Sequence, residues 1–155
     1  MSVDKTFQFD KIRHLDLPAP VCVNPQNSLG VVLARMQQAR ISCVLVCEGK
    51  KLQGIFTTRD VLNKVIDCGV DPQTTISTFM TSTPTTLSSD ASIAEAIQLM
   101  DSASVRHVPL VDVSGEVTGM ISADHIVHYL VEHFPTEVYN LPPRLQQKIM
   151  TPEGA

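Results

Sequence analysis

GIFTTRD occupies positions 54–60 and GMISADH positions 119–125. Both run glycine, two apolar residues, a small hydroxyl, two variable positions and a polar residue. The first ends in Asp60, the second in His125. The flanking residues match as well. With a shift of 64, NSLGVVLARM (27–36) lies over ASIAEAIQLM (91–100), setting Ser28 on Ser92, Leu29 on Ile93 and Met36 on Met100. CVLVCE (43–48) then lies over HVPLVD (107–112). One additional residue in DVSGE moves the shift to 65 and brings Gly54 onto Gly119. A polar turn is where a chain tolerates such an insertion. The chain therefore carries an internal repeat over about 21–66 and 85–131, and a repeat governs any reading of the fold.

Each copy predicts the same elements. A short extended piece comes first, PVCV or PTTL. A helix follows, with apolar residues at 29, 32, 33, 36 and at 93, 96, 97, 100, the spacing of one helical face. Ser92 and Glu95 have capping-box spacing. Two apolar strands then flank a polar turn, CVLV and LQGIF around EGKK, VPLV and VTGMI around DVSGE. A second helix ends each copy: TRDVLNKVIDCG, with Gly69 expected as its C-cap, and ADHIVHYLVEHF, ending before Pro135. One copy alone is too small to bury its sheet, so the two copies are expected to stack into one unit.

Composition narrows the function. In 155 residues, 43% are hydrophobic and only 5% aromatic, and the net charge is −4. Without a basic cluster or stacking aromatics, nucleic acid is not an expected partner. No apolar run approaches the roughly 20 residues that span a bilayer, and the first residues show no signal-peptide core. The chain reads as cytosolic. Cys22, Cys43, Cys47 and Cys68 form no C-x-x-C pair, and three lie in apolar runs. They read as buried small hydrophobes in a reducing compartment. No nucleophile–base spacing, phosphate-binding loop or zinc signature is present, so an enzyme is not expected. His125, His128 and Glu132 share a helix face, but that spacing alone makes no metal site.

Two β-α-β-β-α copies, each with G-h-h-[ST]-x-x-[DN] closing the second hairpin strand, resemble a tandem pair of CBS domains. The resemblance implies an α+β fold of two repeats packed with pseudo-two-fold symmetry. It divides the chain into a lead-in at 1–20, repeats at 12–68 and 76–133, and a tail at 134–155. It also implies a stand-alone regulatory module that senses an adenosine nucleotide in a cleft between repeats and signals to a client protein, with no cofactor and no metal. A homodimer is implied too, through the apolar faces of VLNKVI and IVHYLV. The alternative reading is a dimerisation scaffold without a small ligand.

The resemblance also assigns a site. Ile55 would line an adenine pocket, Thr57 and Arg59 would face phosphate, and Asp60 would take a ribose diol. Thr83, Pro84 and Thr85 would offer backbone groups to the adenine edge. Val105 would pack on the base, with Arg106 and His107 near the phosphates. The chemistry suits these types: a carboxylate accepts two hydroxyl protons, and a guanidinium matches phosphate. Thr57 and Asp60 also suit a plain helix start, by capping and by dipole. The equivalent cleft of the second motif, with Ser42, Cys43, Met120, Ser122 and His125, is expected to be degenerate. His125 cannot accept both protons of one diol, and Ser42 and Cys43 replace Arg106 and His107. The tail carries four prolines, which prevent one long helix.

Overall fold

The computed structural model describes residues 9–133; the expectations for the tail fall outside them. Strand β1 (Cys22–Val23) leads into helix α1 (Leu29–Ala39), hairpin β2 (Cys43–Glu48) and β3 (Lys51–Thr57), and helix α2. Strand β4 (Thr81–Ser82) opens the second half. Helix α3 (Ile93–Ala103), hairpin β5 (His107–Val111) and β6 (Val117–Ser122), and helix α4 (Ala123–His133) follow. The first sheet has the order β1-β2-β3-β4, with β1 parallel to β2 and the remaining neighbours antiparallel. The second is the β5–β6 hairpin, extended by a parallel bridge between Leu87 and Leu110. That bridge repeats the Val23–Val46 pairing of the first sheet 64 positions later. The fold is the expected α+β tandem repeat.

Local chemistry sets the helix limits. Ser28 Oγ accepts the Val31 N–H at 3.3 Å to start α1. Ser92 and Glu95 form a reciprocal capping box at the start of α3, with bonds of 3.1 and 2.7 Å. Both helices stop on a left-handed residue, Arg40 (φ 53) and Ser104 (φ 54). Helix α2 departs from expectation. It begins at Thr58–Asp60, widens into a π turn over Val61–Val65, and ends there rather than at Gly69. The chain leaves the helix at Ile66, whose backbone is already extended (φ −65, ψ 132), and Asp67 follows in a left-handed turn (φ 60), a region that aspartate visits more readily than most residues.

Strand β2 is buried on both faces, which accounts for its unbroken apolar run. Val44 and Val46 join Val23, Val32 and Phe56 in the first core. Cys43, Leu45 and Cys47 face the other way, with Ile55, Val117 and Met120, and form the seam between repeats. Cys43 and Cys47 are buried as expected. Cys22 and Cys68 are exposed instead: β1 is the sheet's edge, and Cys68 lies beyond the end of α2.

The two cores exchange their lead-in segments. Ile76 and Phe79, at the opening of the second repeat, are buried in the first core. Ile12, at the opening of the first repeat, is buried in the second, with Leu15 and Leu17 packed beside it. The geometry is repeated at both places. Ile12 N–H donates to Ala91 O at 2.9 Å, and Ile76 N–H to Asn27 O at 2.8 Å. Each isoleucine opens a short 3-10 turn, Ile12–His14 and Ile76–Thr78. The Tyr129 hydroxyl donates to Asp10 and ties α4 to the same lead-in.

Gly54 shows why the first motif opens on glycine. A Cβ there would lie 2.8 Å from Thr81 O and 2.6 Å from Met80 Sδ, so a larger residue would push β4 off β3. At Gly119 the nearest atom would be Leu110 Cδ1 at 3.4 Å, a gap that a small side-chain adjustment opens.

Candidate functional site

The end of β3, the start of α2, the turn after β4 and the start of β5 converge on one cavity of about 410 Å3. Ile55, Thr57, Arg59 and Asp60 come to it from the first repeat. Thr83, Pro84, Thr85, Val105, Arg106 and His107 come from the second half. The structure thus brings together all ten residues assigned to the first cleft. Thr58, Leu62 and Thr81 also line it and were not expected. Thr81 owes its place to pairing opposite Ile55 in the β3–β4 ladder, a two-residue contact with no periodic signal in the sequence.

Asp60 is only 8% exposed. Its Oδ2 accepts the Thr57 N–H at 3.0 Å, the acidic half of a capping box. Its Oδ1 pairs with Lys64 Nζ at 3.0 Å, one helical turn on. Lys64 also donates to Phe79 O at 2.8 Å, so the carboxylate is held from two sides. Thr81 Oγ1 also donates to Oδ1 at 3.5 Å, so of the about four lone-pair positions of an ionised carboxylate about one is left for a ligand. Lys64 was missed by the sequence reading, although its i,i+4 spacing from Asp60 is a recognised pairing signal.

The positive end of the cavity is built from side chains. The N–H groups at the start of α2 are partly engaged: Thr57 N–H donates to Asp60, and Thr58 N–H donates to Ser42 O at 3.0 Å. Arg59 crosses the seam and donates from Nη1 to Ser104 O at 2.9 Å, at the C-terminal end of α3, where a cation is favoured. A guanidinium carries five N–H donors, so this bond fixes Arg59 without exhausting it. Arg106 pairs with Asp124 at 3.7 Å; both side chains are well exposed, and such a pair contributes little. His107 Nε2 lies 3.2 Å from Ser42 Oγ. Burial, opposed by Asp124 and aided by Arg106 and His125, holds the His107 imidazole below its usual pKa.

Thr83 adopts a left-handed backbone (φ 48) immediately before Pro84. A β-branched residue there is strained, by on the order of 1–3 kcal/mol, and such strain concentrates at ligand sites. The bend turns the 83–85 backbone along the cavity wall.

The second motif is put together differently. His125 Nδ1 accepts the Ser122 N–H at 3.0 Å, and Ser122 Oγ accepts the His125 N–H at 3.2 Å. His125 thus takes over the capping bond that Asp60 makes in the first repeat. Cys43 Sγ lies 3.5 Å from Met120 Sδ, and burial, with Asp60 adding, pushes the Cys43 thiol up to about 12. Cys43 and Met120 therefore pack in the seam, while Ser42 stays exposed at its edge beside His107. A separate cavity of about 570 Å3 lies beside α4, and of the five residues assigned to the degenerate cleft only His125 lines it. Asp16, Asp124 and Glu132 line that cavity without any lysine or arginine, a poor setting for phosphate. Asp124, next to His125, reaches Arg106 at 3.7 Å. His128 pairs with Glu132 at 3.6 Å. Among the described residues no group of three histidine, cysteine or acidic side chains could hold a metal, and no helix is long and apolar enough to cross a membrane.

The His125 cap makes a pH prediction. The Nδ1 acceptor exists only on the neutral ring. Burial lowers the His125 pKa below 6.5, with His128 adding and Asp124 opposing. A histidine whose folded pKa is depressed contributes stability that is fully present above the unfolded value. That stability falls as pH drops from about 6.5 toward the folded value, because the unfolded chain takes up the proton first. His107 acts in the same direction. Melting points between pH 7.5 and 5 should fall less in His125→Asp, which restores an acceptor that stays available over that range. Identical profiles for the two proteins would exclude the cap as the cause.

Two β-α-β-β-α units packed through a shared seam, with a polar-ended cleft at their junction, define a tandem-repeat α+β module. The chain belongs to the CBS domain family, whose family model matches residues 12–67 and 76–132. The CBS domain-containing protein CBSCBSPB1 of Arabidopsis thaliana is 32% identical over 110 residues, covering 70% of this chain and 20% of that protein. The chain spans about a fifth of the length of such relatives. Among solved structures, a CBS domain protein of Pyrobaculum aerophilum complexed with AMP has a TM-score of 0.69 at 20% identity, covering 79% of this chain and 98% of that one. The CBS domain pair of protein MJ0100, in complex with 5′-methylthioadenosine and S-adenosyl-L-methionine, has a TM-score of 0.70 at 20% identity, covering 79% and 96%.

Proposed function

We propose that this chain is a regulatory, non-catalytic module that binds an adenosine nucleotide in the β3–α2/β5 cleft and passes its occupancy to a client protein. The carrying observation is the cleft's polarity. A held carboxylate, Asp60, stands in the same 410 Å3 cavity as Arg59, Arg106 and His107, with Ile55, Val105 and Pro84 supplying apolar wall. A base, a ribose diol and a phosphate need such a series. The AMP complex of the Pyrobaculum aerophilum protein and the adenosyl complexes of MJ0100 support the ligand class. The two arginines favour a phosphate-bearing member of it. The four free thiols suit a reducing compartment such as the cytosol.

The module is further read as a homodimer. Leu62 and Ile66 on the α2 side are 67% and 47% exposed, and their repeat mates Val127 and Val131 on α4 are 57% and 41% exposed. Four large apolar residues related by the repeat make a face that a second copy can cover. A thermal melt and light scattering test the two readings separately. A ligand that binds only the folded state at 100 times its dissociation constant adds about 2.7 kcal/mol, so AMP, ADP or ATP should raise the melting point, and GMP should do so less. No shift at millimolar concentration with any adenosine compound favours the scaffold alternative. A mass of twice the 17.0 kDa chain is expected; a monomer would remove the dimer.

A further inference from the structure

His107 stands where the seam between the repeats meets the positive end of the cleft. Its Nε2 lies 3.2 Å from Ser42 Oγ, across the seam. Among the described residues its Nδ1 has no hydrogen-bond partner, and no buried side-chain nitrogen or oxygen lacks one, so Nδ1 is accessible. The ring lines the cavity together with Arg59 and Arg106. Those guanidiniums stay charged at every working pH. His107 is the only histidine lining the cavity, and so the group there whose charge changes near neutrality.

The surroundings accept either charge state of the ring. A neutral imidazole has one donor and one acceptor nitrogen, whereas the imidazolium has two donors. The Ser42 hydroxyl can donate or accept, so it suits Nε2 in both forms. With Nε2–H donating to Ser42 Oγ, Nδ1 carries a lone pair in the neutral ring and an N–H in the charged one. The lone pair repels a phosphate oxygen, and the charged N–H binds it.

We propose, on the nucleotide reading above, that binding of a phosphate-bearing adenosine nucleotide takes up one proton at His107, so that the module reads pH together with nucleotide. The groups around the ring set its resting state. Burial disfavours the imidazolium most, Asp124 of α4 favours it, and Arg106 on the same strand and His125 of α4 disfavour it. Arg59 and Asp60 of α2 line the same cavity, and β6 sets the non-titrating Ser122 opposite His107 in the ladder. The balance holds the ring below its usual pKa, hence neutral in the free protein at pH 7.5. A phosphate dianion in the cleft reverses that balance, because an opposite charge within about 4–6 Å favours the charged form. The proton comes from solvent and goes to the ring, and no other bond is made or broken.

The bound state then holds the proton more tightly than the free state. AMP affinity therefore rises as pH falls through the bound pKa and stops rising below the free one. One proton gives at most about a tenfold change per pH unit. The phosphate's own proton, with a pKa of about 6, opposes binding in more acidic solution, so the window runs from about pH 8 to 6.5.

Titration calorimetry of AMP with the whole chain across that window, in two buffers of different ionisation enthalpy, tests this. Affinity should rise about threefold to tenfold from pH 8 to 6.5, and the buffer dependence of the heat should show net proton uptake. Adenosine, which has no phosphate, should show neither. His107→Gln, which keeps a polar partner for Ser42, should lose the rise with AMP. In proton NMR, the ring signal that His107→Gln removes should titrate below about 6.5 in the free chain and above it with saturating AMP. A flat or falling wild-type affinity, net proton release, the same uptake with adenosine, or an equal rise in His107→Gln would each overturn the proposal and leave the nucleotide reading standing. No AMP binding at any pH would remove that reading and the proposal with it. The wild-type calorimetry decides even if the variant folds poorly.

Discussion

Asp60→Ala is expected to weaken binding of an adenosine nucleotide at least tenfold. Asp60 is the one carboxylate lining the β3–α2/β5 cavity, and the hydrogen bond of a charged group contributes on the order of 1.5–3 kcal/mol, which is a tenfold effect or more. The same substitution removes the Thr57 N–H acceptor and the Lys64 partner, so the ligand-free melting point should fall as well. Asp60→Asn separates the two effects, since its amide oxygen can keep the capping bond while losing the charge. Arg106→Ala should weaken AMP more than adenosine, because adenosine offers the guanidinium no charge. His125→Ala should leave AMP affinity close to wild type, because its ring is committed to the Ser122 cap. Titration calorimetry on these variants, with one site per chain expected, measures all of this. AMP binding by Asp60→Ala as tight as wild type, in a folded protein, would remove the site assignment.

Ile12→Ala should destabilise the protein by about 2–5 kcal/mol, the range for truncating a fully buried isoleucine. Ile12 is 0% exposed and sits in the second core, although it opens the first repeat. The melting point should fall by roughly 6–15 °C for a chain of this size. The loss should appear as one cooperative transition of both repeats, because the exchanged segments tie each core to the other half. Val113→Ala, on a fully exposed turn, is the control and should change little. If Ile12→Ala melts like the control, the lead-in segment is not part of the second core in solution.

The sequence makes some of this legible and hides the rest for physical reasons. Helices α1 and α3 declare themselves through apolar spacing and through Ser28 and Ser92. The hairpins declare themselves as paired apolar runs around polar turns. The first cleft is legible only through the resemblance to tandem CBS pairs, which assigns its ten residues to three short segments. The exchange of Ile12 and Ile76 is not, because each lies in a three-residue 3-10 turn without periodicity, and its partner is contributed by tertiary packing. The π turn in α2 is hidden for a similar reason: its residues read as ordinary helix, and the chain turns extended at Ile66, before the glycine that looks like the stop. The second motif misleads most. His125 in place of Asp60 looks like the decay of a ligand site, and the ring turns out to occupy the backbone-capping position of the missing carboxylate.

The exchanged lead-in also fixes an order of events during synthesis. The first core closes on Ile76 and Phe79, which leave the ribosome soon after β3 and α2 and can complete a nascent unit. The second core needs Ile12 and Asp10, made ahead of β1, and Tyr129, made 119 positions after Asp10. Until α4 emerges, Ile12, Leu15 and Leu17 have no core to enter. Closing so long a loop adds entropy cost only slowly with length, but contacts this remote in sequence form late and slow the final step. Asp10 and Ile12 are thus made before every element that covers them and are among the last of the described residues to be buried.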